Sequence, residues 1–229
     1  LALFDQNRIL EKKVKERTSE IHDTRLQVIH CLGAASEYRD EETGTHISRM
    51  SQYSRIIALA AGVAMEDAEL LLQAAPMHDV GKIGIPDRIL LKPGKLDADE
   101  WEIMKTHTTL GKEAIEHAET QLGFAVDFLK TAKEIAYSHQ EKYDGSGYPL
   151  GLKGDEIPIS ARLMTVADVY DALISRRVYK ESFDLELTIK IMKEGRGTHF
   201  DPDMLDAFLE IKDEFEKIAN SFTDKNSED

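Results

Sequence analysis

The sequence predicts an all-α protein: a helical bundle preceded by a coiled-coil-like helical stalk. Three observations carry this reading. Apolar residues recur at spacings of three and four along most of the 229-residue chain, the period of an amphipathic helix. Alternating apolar and polar stretches bounded by hairpin turns, the mark of strands, are missing. Residues 3–28 carry a heptad pattern of their own.

In the stalk, taken as residues 1–27, Asn7, Val14, Ile21 and Val28 fall on one seam, with Leu3, Leu10, Arg17 and Thr24 on the other. β-branched residues with one asparagine on the first seam, and leucines on the second, favour a parallel two-stranded coil. A homodimer through the N-terminal helix is therefore expected; the alternative is a long amphipathic helix packed on its own domain. The chain opens in mid-pattern without a methionine and reads as a fragment with a regulatory domain upstream. The bundle domain is assigned to residues 28–222, and the polar tail 223–229 is expected to be disordered.

Within the bundle, Met50, Tyr53, Ile57 and Ala60 mark a helix in 44–62, and acids followed by leucines and alanines mark another in 65–79. In 96–107, Asp97 is an N-cap with Glu100 placed for a capping box. Further helical stretches are 127–140, 159–174, 184–194 and 201–222, the last entered by Asp201 as N-cap and Pro202 at the first helical position. One passage breaks the pattern. Between His139 and Ile159 run about eighteen residues without regular structure, a length that inside a compact domain is functional or disordered. Gly145 and Gly147 are expected to permit positive φ there, and Pro149 fixes its own φ, so the loop reads as shaped.

Composition narrows the function. A hydrophobic content of 41% with 31% charged residues suits a soluble domain with a sizeable core. The fragment has no apolar run long enough for a membrane span and no signal peptide. Cys31 is the single cysteine, which fits a reducing cytoplasm. A net charge of −14 argues against a nucleic-acid polymer as partner. An anionic small-molecule substrate would need local positive charge, and metal ions supply it most simply.

The candidate ligands form a series: Glu42 with His46, then His78-Asp79, His107, His139 and Asp168. Histidines spaced roughly one helical hairpin apart let separate helices deliver donors to a common centre, as in bundle metal sites. Nitrogen and oxygen donors without thiolate suit iron, manganese, nickel or zinc. Neighbours on a regular helix diverge by about 100°, so His78 and Asp79 reach one site only where the helix loosens; Gly81 and Gly84 allow that. Asp79 has two oxygens and can bridge two ions, an arrangement that serves in-line displacement at phosphorus. Lys82 stands ready to neutralise a phosphate oxygen. Against this, His22, His30 and His117 read as structural, and His199 as shaping a helix entry. Lys82, Arg177 and Lys180 taken singly would be ordinary salt-bridge partners. The series, not any one member, makes the case.

The segments HDVGKIGIPD (78–87) and HQEKYDGSGYPLGLKGDEIP (139–158) closely resemble the HD-GYP family, a branch of the HD-domain metal-dependent phosphohydrolases. The likeness covers about residues 28–205, with RDEETGTHISRM, ADVYDALISRRVYK and HFDPDM in order. It implies an HD-domain helical bundle with a GYP loop, and hydrolysis of cyclic di-GMP to pGpG or GMP at a two- or three-metal centre. Some members prefer 3′,3′-cyclic GMP-AMP. By resemblance, His46, His78, Asp79 and Asp168 hold a first metal; Asp79 shares a second with His107 and His139; Glu42 goes with a third. Lys82 lies near the scissile phosphate, Arg177 and Lys180 hold substrate phosphates, and Tyr148 lines the site.

Many members carry two adjacent histidines where this chain has His139-Gln140, and an amide oxygen is a weaker ligand than imidazole. Two divalent ions are therefore expected, iron or manganese ahead of nickel or zinc, with a third ion weakly held at most. The resemblance implies the output domain of a bacterial signalling protein of the two-component kind. Two other readings are a catalytically weak module binding a cyclic dinucleotide or a GGDEF-domain partner, and a mononucleotide hydrolase as in other HD enzymes. The GYP block argues against the last.

Overall fold

The computed structural model describes residues 2–40, 45–123, 126–175 and 183–223. Among them helices are the regular elements, with one isolated bridge between Arg196 and Phe200 and no strand. No helix in these residues is long and apolar enough to cross a membrane.

Helix α1, Ala2–Glu37, runs 36 residues without a break. The 27/28 boundary therefore falls inside a continuous helix. What changes nearby is burial: Ile29, Gly33, Ser36 and Glu37 enter the body of the protein. Gly33 makes that entry possible, since a Cβ there would lie 2.6 Å from the Pro76 carbonyl oxygen. Helix α2, Thr45–Ala60, buries His46, Met50, Tyr53 and Ile57, one stripe at helical spacing. After α3, Met65–Ala74, the backbone tightens into two 3₁₀ turns, Ala75–Met77 and Val80–Gly84. His78 and Asp79 sit between these turns, where the expected loosening occurs, and Asp79 leaves helical geometry at φ −106°, ψ 15°.

Short α4, Asp87–Leu90, leads to α5, Ala98–Lys105, which opens with the Asp97–Glu100 capping box. Helix α6, His107–Leu122, starts immediately afterwards and places His107 in its first turn. Sequence periodicity does not single out this helix, because its buried face is His107, Thr108, Gly111 and Ile115, with one large apolar side chain among them. Gly111 and Gly81 let α6 and the 3₁₀ turn touch backbone to backbone: a Cβ on Gly81 would stand 1.9 Å from the His107 carbonyl oxygen. Helix α7, Asp127–Ser138, ends at His139, and α8, Ile159–Ile174, follows the long loop.

Helix α9 spans Leu185–Glu194. The stretch 201–222, expected as one helix, divides at Ile211 into α10, Pro202–Glu210, and α11, Lys212–Thr223. The bend brings Phe215 back onto the core, stacked on Tyr53 at 4.4 Å and edge-on to Tyr170 and Phe208. That core is built mainly from α2, α3, α7, α8, α10 and α11. Glu42, Arg177, Lys180 and the tail 224–229 lie outside the described residues.

Candidate metal centre

Four histidines meet at the inner end of the bundle, each fixed by one ring nitrogen. Nδ1 of His78 lies 3.0 Å from the Ala75 carbonyl oxygen, that of His107 2.8 Å from Met104, and that of His139 3.0 Å from Ile135. All three acceptors belong to the turn just before the histidine, so helical geometry alone sets the ring direction. In His46, Nδ1 lies 2.7 Å from Asp171 Oδ2 instead. Donation from Nδ1 leaves the Nε2 lone pair for a ligand, the tautomer that metal-binding histidines adopt.

The Nε2 atoms of His78, His107 and His139 converge on Asp79. Its Oδ1 is 3.3 Å from His107 Nε2 and 3.4 Å from His139 Nε2. Its Oδ2 is 3.2 Å from His78 Nε2 and 2.9 Å from Lys82 Nζ. Yet Nε2 of His78, His107 and His139, and Asp79 Oδ1, are buried without a hydrogen-bond partner. Buried polar atoms left in this state are costly. The separations explain it. Two donors about 2.1 Å from one ion, at a tetrahedral angle, stand about 3.4 Å apart. Among the described residues, two groups of donors lie within 4.8 Å of one another: Asp79, His107 and His139, and Glu37, His46 and His78. The donor set fits a pair of divalent cations, with one Asp79 oxygen turned towards each group.

Electrostatics agree. Burial alone would raise the Asp79 carboxyl, but Lys82, His78 and His139 hold it well below the usual carboxylate range. Burial alone would lower His78, but Asp79, Asp168 and Glu37 raise it. His107 faces the same aspartate and still ends up lowered, because its desolvation prevails. The site concentrates negative charge on His78, where a cation would be most stabilised.

The sequence-derived residues are not all treated alike. Asp168 belongs to neither donor group, although its charge reaches His78, Tyr148 and His199. Tyr148 stands edge-on to His107, with ring centroids 6.2 Å apart, and to Trp101 at 6.1 Å; burial raises its hydroxyl pKa. Gln140 acts through its backbone, its carbonyl accepting from Tyr148 N at 3.2 Å.

Gly145 has φ 86°, but Gly147 is not among the positive-φ glycines. It is needed for space, since a Cβ there would come within 2.3 Å of Lys142 N. Three further residues of the site were not read from the sequence. Glu37 joins the donor group of His46 and His78. Asp171 orients His46 while accepting from Arg49 Nε at 2.6 Å. Buried Glu141 holds the loop by accepting from Leu150 N and Leu152 N at 2.7 and 3.0 Å.

Residues 31–204 match the family described as HD domain. A Vibrio cholerae protein named "Probable cyclic di-GMP phosphodiesterase" is 48% identical over 98% of this chain and 53% of its own length. The "3′3′-cGAMP-specific phosphodiesterase 2" of the same organism is 42% identical over 90% of this chain and 38% of its own. The chain thus spans about half or less of the length of these relatives. Among solved structures, an HDG"Y"P protein from Bdellovibrio bacteriovorus superposes with a TM-score of 0.56 at 20% identity, over 82% of this chain and 64% of that one, which speaks for the fold.

Proposed function

The chain belongs to the HD-domain family, and from that premise, with the HD-GYP motifs of its sequence beside it, we propose a metal-dependent phosphodiesterase acting on a bacterial cyclic dinucleotide. Cyclic di-GMP is the first candidate substrate, with pGpG or GMP as product. The observation that carries this reading is the convergence of buried, unbonded Nε2 atoms on the two oxygens of Asp79. His46, His78, Asp79 and Asp168 would hold one divalent cation, and Asp79, His107 and His139 the other; iron or manganese fits ahead of nickel or zinc. When bound, the pair supplies the Lewis-acid charge for in-line displacement at phosphorus.

The protein's own groups supply the rest. Lys82, anchored at Asp79 Oδ2, places an ammonium where charge develops on a phosphate oxygen. Tyr148 and Trp101 form an aromatic wall beside His107. Arg177 and Lys180 are assigned by motif to the substrate phosphates, and Glu42 to a third, weaker ion. The exposed apolar seam of α1 supports a homodimer, and the domain is read as the output of a cytoplasmic signalling protein. A relative named for 3′3′-cGAMP keeps that dinucleotide as the second substrate.

The test is protein loaded anaerobically with Fe(II) or Mn(II) and given each dinucleotide, with products separated by chromatography. A linear product is expected, and His78→Ala and Asp79→Ala should abolish it with helical content retained. Binding without product under every metal would replace the enzyme reading with that of a dinucleotide- or GGDEF-binding module.

A further inference from the structure

We propose that Glu37 is a carboxylate ligand of the cation held by His46 and His78, which makes the last turn of the stalk helix part of the metal centre. The inference rests on the metal-dependent reading above, but no motif used there includes Glu37. Three separate elements supply the donors: the end of α1, the first turn of α2 and the junction between the two 3₁₀ turns. Glu37 is 1% exposed, and its Oε1 lies 3.4 Å from His46 Nε2. That is the same donor-to-donor separation found around Asp79 Oδ1. The ligand atoms of Glu37, His46 and His78 lie within 4.8 Å of one another.

A plain ion pair between Glu37 and a protonated His46 is the simpler alternative. It leaves His78 unexplained. The His78 ring stands 5.4 Å from that of His46, and its buried Nε2 has no hydrogen-bond partner. A cation between the three donors gives that nitrogen a partner. The neighbouring carboxylate, Asp171, is committed to orienting His46 and to Arg49, so it does not take Glu37's place.

The α1 terminus is also built to hold Glu37 in position. Ser36 donates to the Asp79 carbonyl oxygen at 2.9 Å, and Arg39 donates to the carbonyls of Ile83 and Ile85 at 2.6 and 3.0 Å. Since α1 is unbroken back to Ala2, cation binding at its end and the ordering of the helix are linked. Linkage of that kind is reciprocal.

The experiment reads metal content and amide exchange, not turnover. Wild type and Glu37→Gln are loaded with Mn(II) alone and dialysed against graded chelator, with circular dichroism to check the fold. Glu37→Gln keeps the shape and removes the charge. It should retain the ion held by Asp79, His107 and His139 and lose the other about tenfold or more readily. In wild type, Mn(II) should slow amide exchange over residues 33–37; in the variant it should not. Equal retention of both ions by Glu37→Gln, or exchange in wild-type α1 indifferent to Mn(II), overturns the proposal. If Glu37→Gln does not fold, the wild-type exchange and Glu37→Asp decide it. An inactive but metal-loaded protein would count against the phosphodiesterase and leave this result standing.

Discussion

His46 is oriented by a residue 125 positions further along the chain. Asp171 accepts from its Nδ1 and from Arg49 Nε and Nη2, and those bonds outweigh burial to hold its carboxyl at about 2. Asp171→Asn preserves the shape but not the charge. Breaking a buried charged network of this kind costs about 3–5 kcal/mol, which denaturant melts would register. Loss of a ligand's supporting carboxylate weakens metal binding about 10- to 100-fold, which chelator competition would register; unchanged metal retention would mean that the α2 backbone alone aims His46. Lys82→Ala is a different kind of change. It should lower kcat by about 100-fold, the scale of losing one donor to developing charge, while the metal count stays the same. The four histidines, Asp79 and Lys82 were legible because they fall one per hairpin and inside long motifs. Glu37 and Asp171 were not. The chain has 43 acidic residues, and nothing local distinguishes a buried carboxylate from a solvated one. The nearest hint was the run Gly33, Ala34, Ala35, Ser36, a small-residue patch on a helix otherwise rich in charge, marking where that helix is pressed against another backbone.

Elements fix the site through two close approaches. At the first, the 3₁₀ turn meets α6, and Gly81 leaves no room for a methyl group. Gly81→Ala should push α6 and His107 away from Asp79. The expected result is selective loss of the ion at Asp79, His107 and His139, with a stability cost of about 1–3 kcal/mol from overpacking. Metal stoichiometry and thermal melts would show both. The second is the 139–158 loop, legible as shaped but not as to how. Its framework is long-range: Tyr143 N and Asp144 N donate to the carbonyls of His199 and Thr198 at 3.3 and 2.9 Å, and Glu141 binds two amides from below. Pairing to a segment some fifty residues away has no local signature, so glycine and proline content revealed the turn without its partners. Glu141→Gln should loosen the loop and with it Tyr148. Protease nicking within 142–152 and a KM raised more than kcat is lowered would follow; an unchanged nicking pattern would mean that the His199 segment suffices. Helix α6 was missed for a related reason. A buried face of His107, Thr108, Gly111 and Ile115 carries little hydrophobic periodicity, and at Gly111 the structure uses closeness in place of bulk.

Over the whole molecule, the body buries its aromatic centre around Phe215, while the stalk leaves its apolar residues outside. Leu10, Val14, Ile21 and Val28 are 61%, 57%, 69% and 54% exposed, and all four lie on the heptad seams. A second copy of the helix is the partner that this spacing fits. Ile21→Lys is therefore expected to convert a dimer to a monomer in sedimentation velocity, with the melting of the bundle unaltered; a wild-type chain that sediments as a monomer would leave α1 without that role. The all-α class and the helical stalk followed directly from sequence period, whereas the absence of any joint between stalk and bundle did not, since a heptad pattern ends without saying whether its helix does. That missing joint has a mechanical consequence. A helix with side chains is about 5–6 Å in radius, so turning α1 about its axis by about 20° would sweep a carboxylate at its rim through about 2 Å. The same arc is comparable to the length of one metal–oxygen bond, and a shaft with no coupling along its length delivers at one end whatever torque is applied at the other.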